Sequence, residues 1–161
     1  MSAETPVPDH ESRVDFALGK ILRYFNLLEL NLGFCIRSLE NPDDVDRSHG
    51  WLAGSSVREK VERFTKLVAE KGFVGERQEL DDWKEAAAST RCLRNFYVHG
   101  TWEYLSTRQG APLRFRIPPW RSEEIRGSNS PTMTLEELEA DAKAIQSVFE
   151  RFAKLRRKYG V

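Results

Sequence analysis

The side chains with chemical capacity gather in one stretch, Arg94-Asn95-Phe96-Tyr97-Val98-His99-Gly100. An arginine stands there in the apolar stripe of what reads as a long helix, where a charge is costly unless something needs it. A histidine follows five residues later, and a glycine directly after it. Arginine stays ionised and grips phosphate oxygens with two parallel donors. Histidine, with an unperturbed pKa of about 6.5, moves protons near neutral pH. Asn95 adds an amide that donates or accepts. An arginine, an amide and a histidine suffice for phosphodiester transfer when RNA supplies its own 2′-hydroxyl as nucleophile, with no metal required. The same residues also fit a plainer role: a core arginine paired with a carboxylate, and a histidine favoured by the dipole at a helix C-terminus.

The helix that carries this stretch is predicted over residues 76–98. Leu80, Trp83, Ala87, Thr90, Tyr97 and Val98 form its buried stripe, widened by Ala86 and Leu93. At ~100° per residue, Arg94 lies near the stripe's centre and His99 about 140° further round. Gly100 then acquires a purpose. Glycine past a helix end lets the chain leave at once, so the last turn can unwind and swing His99 back beside Arg94.

A partner for Arg94 is sought on the first helix, predicted over residues 12–39. Val14, Leu18, Ile21, Phe25, Leu28, Leu32, Cys35 and Leu39 alternate by fours and threes, as in a bundle seam. Glu29 projects with Leu18, Leu22, Phe25, Leu32 and Ile36, inside the apolar face. It is expected to approach Arg94, either fixing helix register as a buried ion pair or orienting Arg94 for phosphate.

Three further elements complete the frame. Residues 41–54 read as a loop, after which Ser56-Val57-Arg58-Glu59 is a capping box opening a helix over 57–70. Val57, Val61, Phe64, Leu67 and Val68 face inward, and Lys71-Gly72 closes it. After Gly100 the period changes to two, over 101–106 and 113–117, which is the pattern of a β-hairpin. Tyr97, Trp102 and Tyr104 are candidate base-stacking contacts that fit hairpin core equally well. Arg114 and Arg116 share the hairpin face opposite Phe115, as a phosphate-binding strip or a solvated charged face. A polar loop to Pro131 precedes a second capping box, Thr134 to Glu137, and a last helix to about residue 158. Leu138, Ala142, Ile145, Phe149 and Phe152 face inward there. The fold class is all-α: an up-and-down bundle of four or five helices, with a small hairpin (about 101–117) inserted before the last helix.

Composition sets the outer limits. The 161 residues read as a disordered lead-in (1–11) and a single helical domain (12–161), 40% hydrophobic and 31% charged. Lys+Arg and Asp+Glu both number 25, so no long-range basic field draws in nucleic acid, leaving only a local patch to do so. Cys35 and Cys92 read as reduced thiols, and the first ten residues lack the order of a signal peptide. No apolar run reaches membrane-spanning length. The expected location is the cytoplasm, with no membrane partner, no cofactor and no metal. His10 and His49 have no ligand partners at metal spacing.

Arg94-Asn95, three residues, then His99-Gly100 resembles the signature of the HEPN superfamily (higher eukaryotes and prokaryotes nucleotide-binding), and the resemblance covers roughly residues 13–158. The resemblance implies a four- or five-helix bundle that forms homodimers. It also implies a metal-independent endoribonuclease of a toxin–antitoxin or defence type. His99 would be general acid or base, Arg94 would stabilise the pentacovalent phosphate, and Asn95 would orient the phosphate or His99. Glu29 and Gly100 would be supporting residues; RNA or a nucleotide, and an antitoxin or other protein, would be partners. The alternative is a non-catalytic HEPN-like module that binds a nucleotide or protein at the same place.

Overall fold

Apolar residues at three- and four-residue steps give the first helix, α1 (His10–Glu40), a continuous buried face from Val14 to Leu39. The structure, a computed structural model, describes residues 9–40, 43–44, 47–72, 77–105, 111–118, 120 and 125–161. Residues 1–8 of the expected lead-in lie outside the described residues, as do Asn41, Pro42 and the Gly110-containing link of the hairpin. Residues 10 and 11 are already the first of α1.

Five helices and one small sheet are described. After α1 comes a six-residue helix, α2 (His49–Gly54), in a segment expected to be loop throughout. Its sequence carries no period long enough to read, and no side chain caps its start. Leu52 packs on the core, and its Cδ2 reaches the position opposite Gly33 of α1. The third helix, α3 (Val57–Glu70), opens on the expected box: Ser56 accepts from the Glu59 amide, and the Glu59 carboxylate accepts from the Ser56 amide at 2.7 Å.

The fourth helix, α4 (Arg77–His99), and the fifth, α5 (Leu135–Lys158), pack on each other and on α1; α3 packs on α1 and α4. The α5 start is the second capping box, Thr134 with Glu137. Their common core is aromatic. Phe64 of α3, Trp83 of α4 and Phe152 of α5 stand with ring centroids 5.2–5.8 Å apart. The buried Trp83 indole donates to the Val148 carbonyl at 3.1 Å. Phe149, expected inward, is only partly buried and lies against Tyr24, 5.9 Å between ring centroids.

The hairpin forms as an antiparallel pair, β1 (Thr101–Tyr104) and β2 (Leu113–Arg116), with Trp102 opposite Phe115 and Glu103 opposite Arg114. A third strand, β3 (Thr132–Met133), pairs with the far edge of β2, between the loop expected up to Pro131 and the capping box at Thr134. Two residues are too few to show alternation, so only the pairing reveals β3. The sheet packs against the end of α4 through Phe115, which meets Phe96 and Tyr97 at 6.2 and 5.0 Å. That contact turns the buried face of α4 at its last turn. Phe96 becomes fully buried, while Val98, expected in the stripe, is exposed.

No helix among the described residues is long and apolar enough to cross a membrane. Because Trp83 joins three helices and supplies a buried donor, Trp83→Ala should lower the unfolding free energy by about 3–5 kcal/mol in a urea titration.

Candidate functional site

The site residues sit where α4 runs into β1. The helix stays regular to its end: the Gly100 amide donates to the Phe96 carbonyl at 2.9 Å, a normal helical step. His99 is therefore the last helical residue and leaves the axis about 140° from Arg94. The expected unwinding that would swing it back does not occur. Gly100 is also absent from the left-handed region, which Gly72, Gly127 and Gly160 occupy. Its purpose is steric instead. A Cβ there would lie 2.9 Å from the Phe96 carbonyl oxygen and 3.2 Å from the Arg116 carbonyl oxygen. Only glycine lets β2 run this close past the helix end.

Arg94 is half-buried and holds a defined pose. Its guanidinium carbon lies 5.2 Å from the centre of the Phe25 ring of α1, within cation–π range. Nη1 donates to Asn95 Oδ1 at 3.1 Å, while Nε is buried and has no hydrogen-bond partner. Asn95 thus orients Arg94, not His99.

The expected ion pair between Glu29 and Arg94 is not formed. Glu29 takes Lys60 of α3, Oε1 to Nζ, at 2.7 Å. The reason is burial. The Lys60 residue is only 8% exposed and needs a counter-charge, whereas Glu29 sits at the α1–α3 rim and keeps part of its hydration. Lys60 was missed as a functional neighbour although its signal was present. It lies three residues after Val57 and four before Phe64, inside the apolar stripe of its own helix. Among the described residues Arg94 has no carboxylate within 4 Å.

The candidate substrate contacts divide. Tyr97 is core: it stands edge-on to Phe96 and Phe115, and its hydroxyl donates to Asp141 Oδ2 at 2.5 Å. Burial first, and the neighbouring Asp141 carboxylate second, push its phenol far above the ordinary tyrosine range. Arg126 completes that cluster by donating to both Asp141 oxygens, at 3.1 and 3.3 Å. Trp102 and Tyr104 are half-buried on the core side of β1, ring to ring at 5.3 Å, and Tyr104 lies against His10 at 5.4 Å. Arg114 and Arg116 do share the face opposite Phe115. Both look toward Glu103, whose Oε1 is 2.8 Å from Arg116 and 3.9 Å from Arg114, so one carboxylate serves two guanidiniums.

The structure thus joins Arg94 and Asn95 directly, and places His99 at the end of the same helix with Gly100 just past it. It gives Glu29 to Lys60 rather than to Arg94 and withdraws Tyr97 into the core. Among the described residues, no three His, Cys, Asp or Glu side chains converge as a metal site. The chain matches no protein-family model, no curated protein and no solved structure.

Three outcomes follow from these contacts. A double-mutant cycle on Glu29→Gln and Lys60→Met should show coupling of about 1 kcal/mol, modest because Glu29 keeps solvent contact. The matching cycle on Glu29→Gln and Arg94→Met should be additive within about 0.5 kcal/mol. Gly100→Ala should cost about 1–3 kcal/mol in thermal or urea unfolding, because neither neighbouring carbonyl is a flexible side chain.

Proposed function

We propose that the chain is an HEPN-like, metal-independent endoribonuclease of a toxin or defence type, with Arg94 as its phosphate-binding group. The observation that carries this reading is the state of Arg94. Its charge is permanent, its Nε is buried and unpartnered, and no carboxylate accompanies it among the described residues. An aromatic face supplies about 0.5–2 kcal/mol, which does not neutralise a cation. A phosphate at the solvent-reached part of the guanidinium would supply the missing charge. The 2′-oxygen of RNA would attack the adjacent phosphorus and the 5′-oxygen would leave, giving a cyclic phosphate and a 5′-hydroxyl. His99 would take the proton from the first oxygen or give one to the second, and Arg94 would stabilise the extra negative charge between them. In this reading RNA is the partner of the site, the protein is a homodimer, and an antitoxin or other protein would restrain it.

A second reading is favoured by one observation. Arg94 and His99 leave a regular helix in directions about 140° apart, and Asn95 accepts from Arg94. A non-catalytic module that binds a nucleotide or protein through Arg94 needs nothing from His99.

Incubation of the purified protein with RNA in chelator separates the two. For the nuclease, cleavage should proceed without metal, fall by about 10²–10⁴-fold in His99→Ala, and fall by about 10²–10³-fold in Arg94→Ala. Intact RNA, or equal cleavage by all three proteins, removes the enzyme. Nucleotide binding that survives His99→Ala but not Arg94→Ala, without turnover, establishes the module.

A further inference from the structure

The outer face of α1 is exposed from Asp15 to Leu30 and bordered by Leu52 of α2 at Gly33, and its sequence is a palindrome. Asp15, Gly19, Leu22, Asn26, Leu30, Gly33 and Arg37 follow one another at steps of 4, 3, 4, 4, 3 and 4 residues. At ~100° per residue they share one arc of about 80°, on a seam about 33 Å long. Read outward from Asn26, each position meets its match: leucine with leucine, glycine with glycine, and aspartate with arginine. Leu22 and Leu30 are 42% and 54% exposed, and with the exposed Phe16 and Phe34 they make one apolar strip along the helix, whereas a lone exposed leucine would need no explanation. Asp15 and Arg37 have no ion-pair partner among the described residues.

The geometry points to a second copy of this chain as the occupant, packed antiparallel on α1 about a two-fold axis through Asn26. The axis sets Leu22 of each copy against Leu30 of the other, and Gly19 against Gly33, where the absence of side chains lets the helices approach closely. It joins Asp15 to Arg37 at both ends of the seam. A parallel pairing would instead bring aspartate to aspartate and arginine to arginine, so charge selects the direction. Phe16 and Phe34, 65% and 49% exposed, lie on one flank and come together across the same axis.

Shape agrees with this occupant. One half of the seam is bordered by α2, whose His49, Leu52 and Ala53 wall an open groove of about 420 Å³ beside Leu30, Gly33 and Phe34. The other half of the seam is unwalled: Leu22 is exposed and nothing lies within 4 Å of the Cβ position of Gly19. A two-fold axis through Asn26 sets that open half of each copy against the walled half of the other.

The inference specifies the homodimer of the proposed function, yet its test is independent of RNA chemistry. Light scattering on the full chain should give a dimer, and Leu30→Glu should weaken it by roughly 100-fold or more, with helical circular dichroism unchanged. Arg37→Asp should weaken it as well, and adding Asp15→Arg should restore it. In a Cys92→Ser background, Asn26→Cys should form an intermolecular disulfide on mild oxidation, while Lys143→Cys on α5 should not. A native chain that remains monomeric at high concentration overturns the inference, whether the face is then bare or serves a different protein. A dimer undiminished by Leu30→Glu overturns it too. Loss of RNA cleavage with the dimer intact would remove the nuclease and leave this interface standing.

Discussion

Trp83 lies where three helices meet, and the other contacts are arranged around that meeting. Its ring is stacked on Phe152 of α5 and stands edge-on to Phe64 of α3, and its indole proton is taken by the Val148 carbonyl. An indole brings more apolar area than any other side chain and a polar group that must find a partner when buried. Both demands are met by the same neighbour, α5. Once α4 is held there, α1 closes over α3, α4 and α5 along its stripe from Val14 to Leu39. The direction in which α4 emerges is then set. The last turn of α4 delivers Arg94, His99 and the start of the sheet at one end of the bundle.

The ionised groups between helices follow one rule, that the more deeply buried charge determines who pairs with whom. Lys60 is the more buried and captures Glu29; Asp141 is held by Arg126 and the Tyr97 hydroxyl. Arg63 is bound by Glu40, and Arg13 by Glu139 with two hydrogen bonds. Arg156 and Arg94 are part-buried and have no carboxylate among the described residues: Arg156 is held by the Asn31 amide and the Val161 carbonyl, and Arg94 rests on an aromatic ring and an amide. A cation without a counter-charge is tolerable at a half-buried position, where water still reaches part of the guanidinium. The same circumstance makes it a place where an anion is stabilised on arrival.

Most of the helical frame was legible because its signals are local. The pairs Ser56 with Glu59 and Thr134 with Glu137 each close within four residues, and both starts fall where the sequence puts them. The stripe of α1 was legible because 31 residues give a long sample of the period. What escaped reading depends on neighbours. The helix α2 and the strand β3 are too short to show a period, and exist through contacts with α1 and β2. A helical wheel turns Arg94 toward α1, where it does meet Phe25, but it cannot say which cation reaches Glu29 first. Lys60 was the residue that decided the matter. Gly100 was recognised as necessary for the wrong reason: the wheel suggests freedom of the backbone, whereas the requirement comes from Arg116, sixteen residues away and opposite across the sheet.

At Gly100 the carbonyl of Phe96 on α4 and the carbonyl of Arg116 on β2 both crowd the place where a Cβ would stand, so only a bare Cα fits there. A side chain at such a junction can rotate and absorb a displacement, and here there is none. The hairpin and the last turn of α4 therefore meet backbone to backbone. No side chain at residue 100 stands between Arg116 and the turn that bears Arg94 and His99, so the position of the one constrains the position of the other.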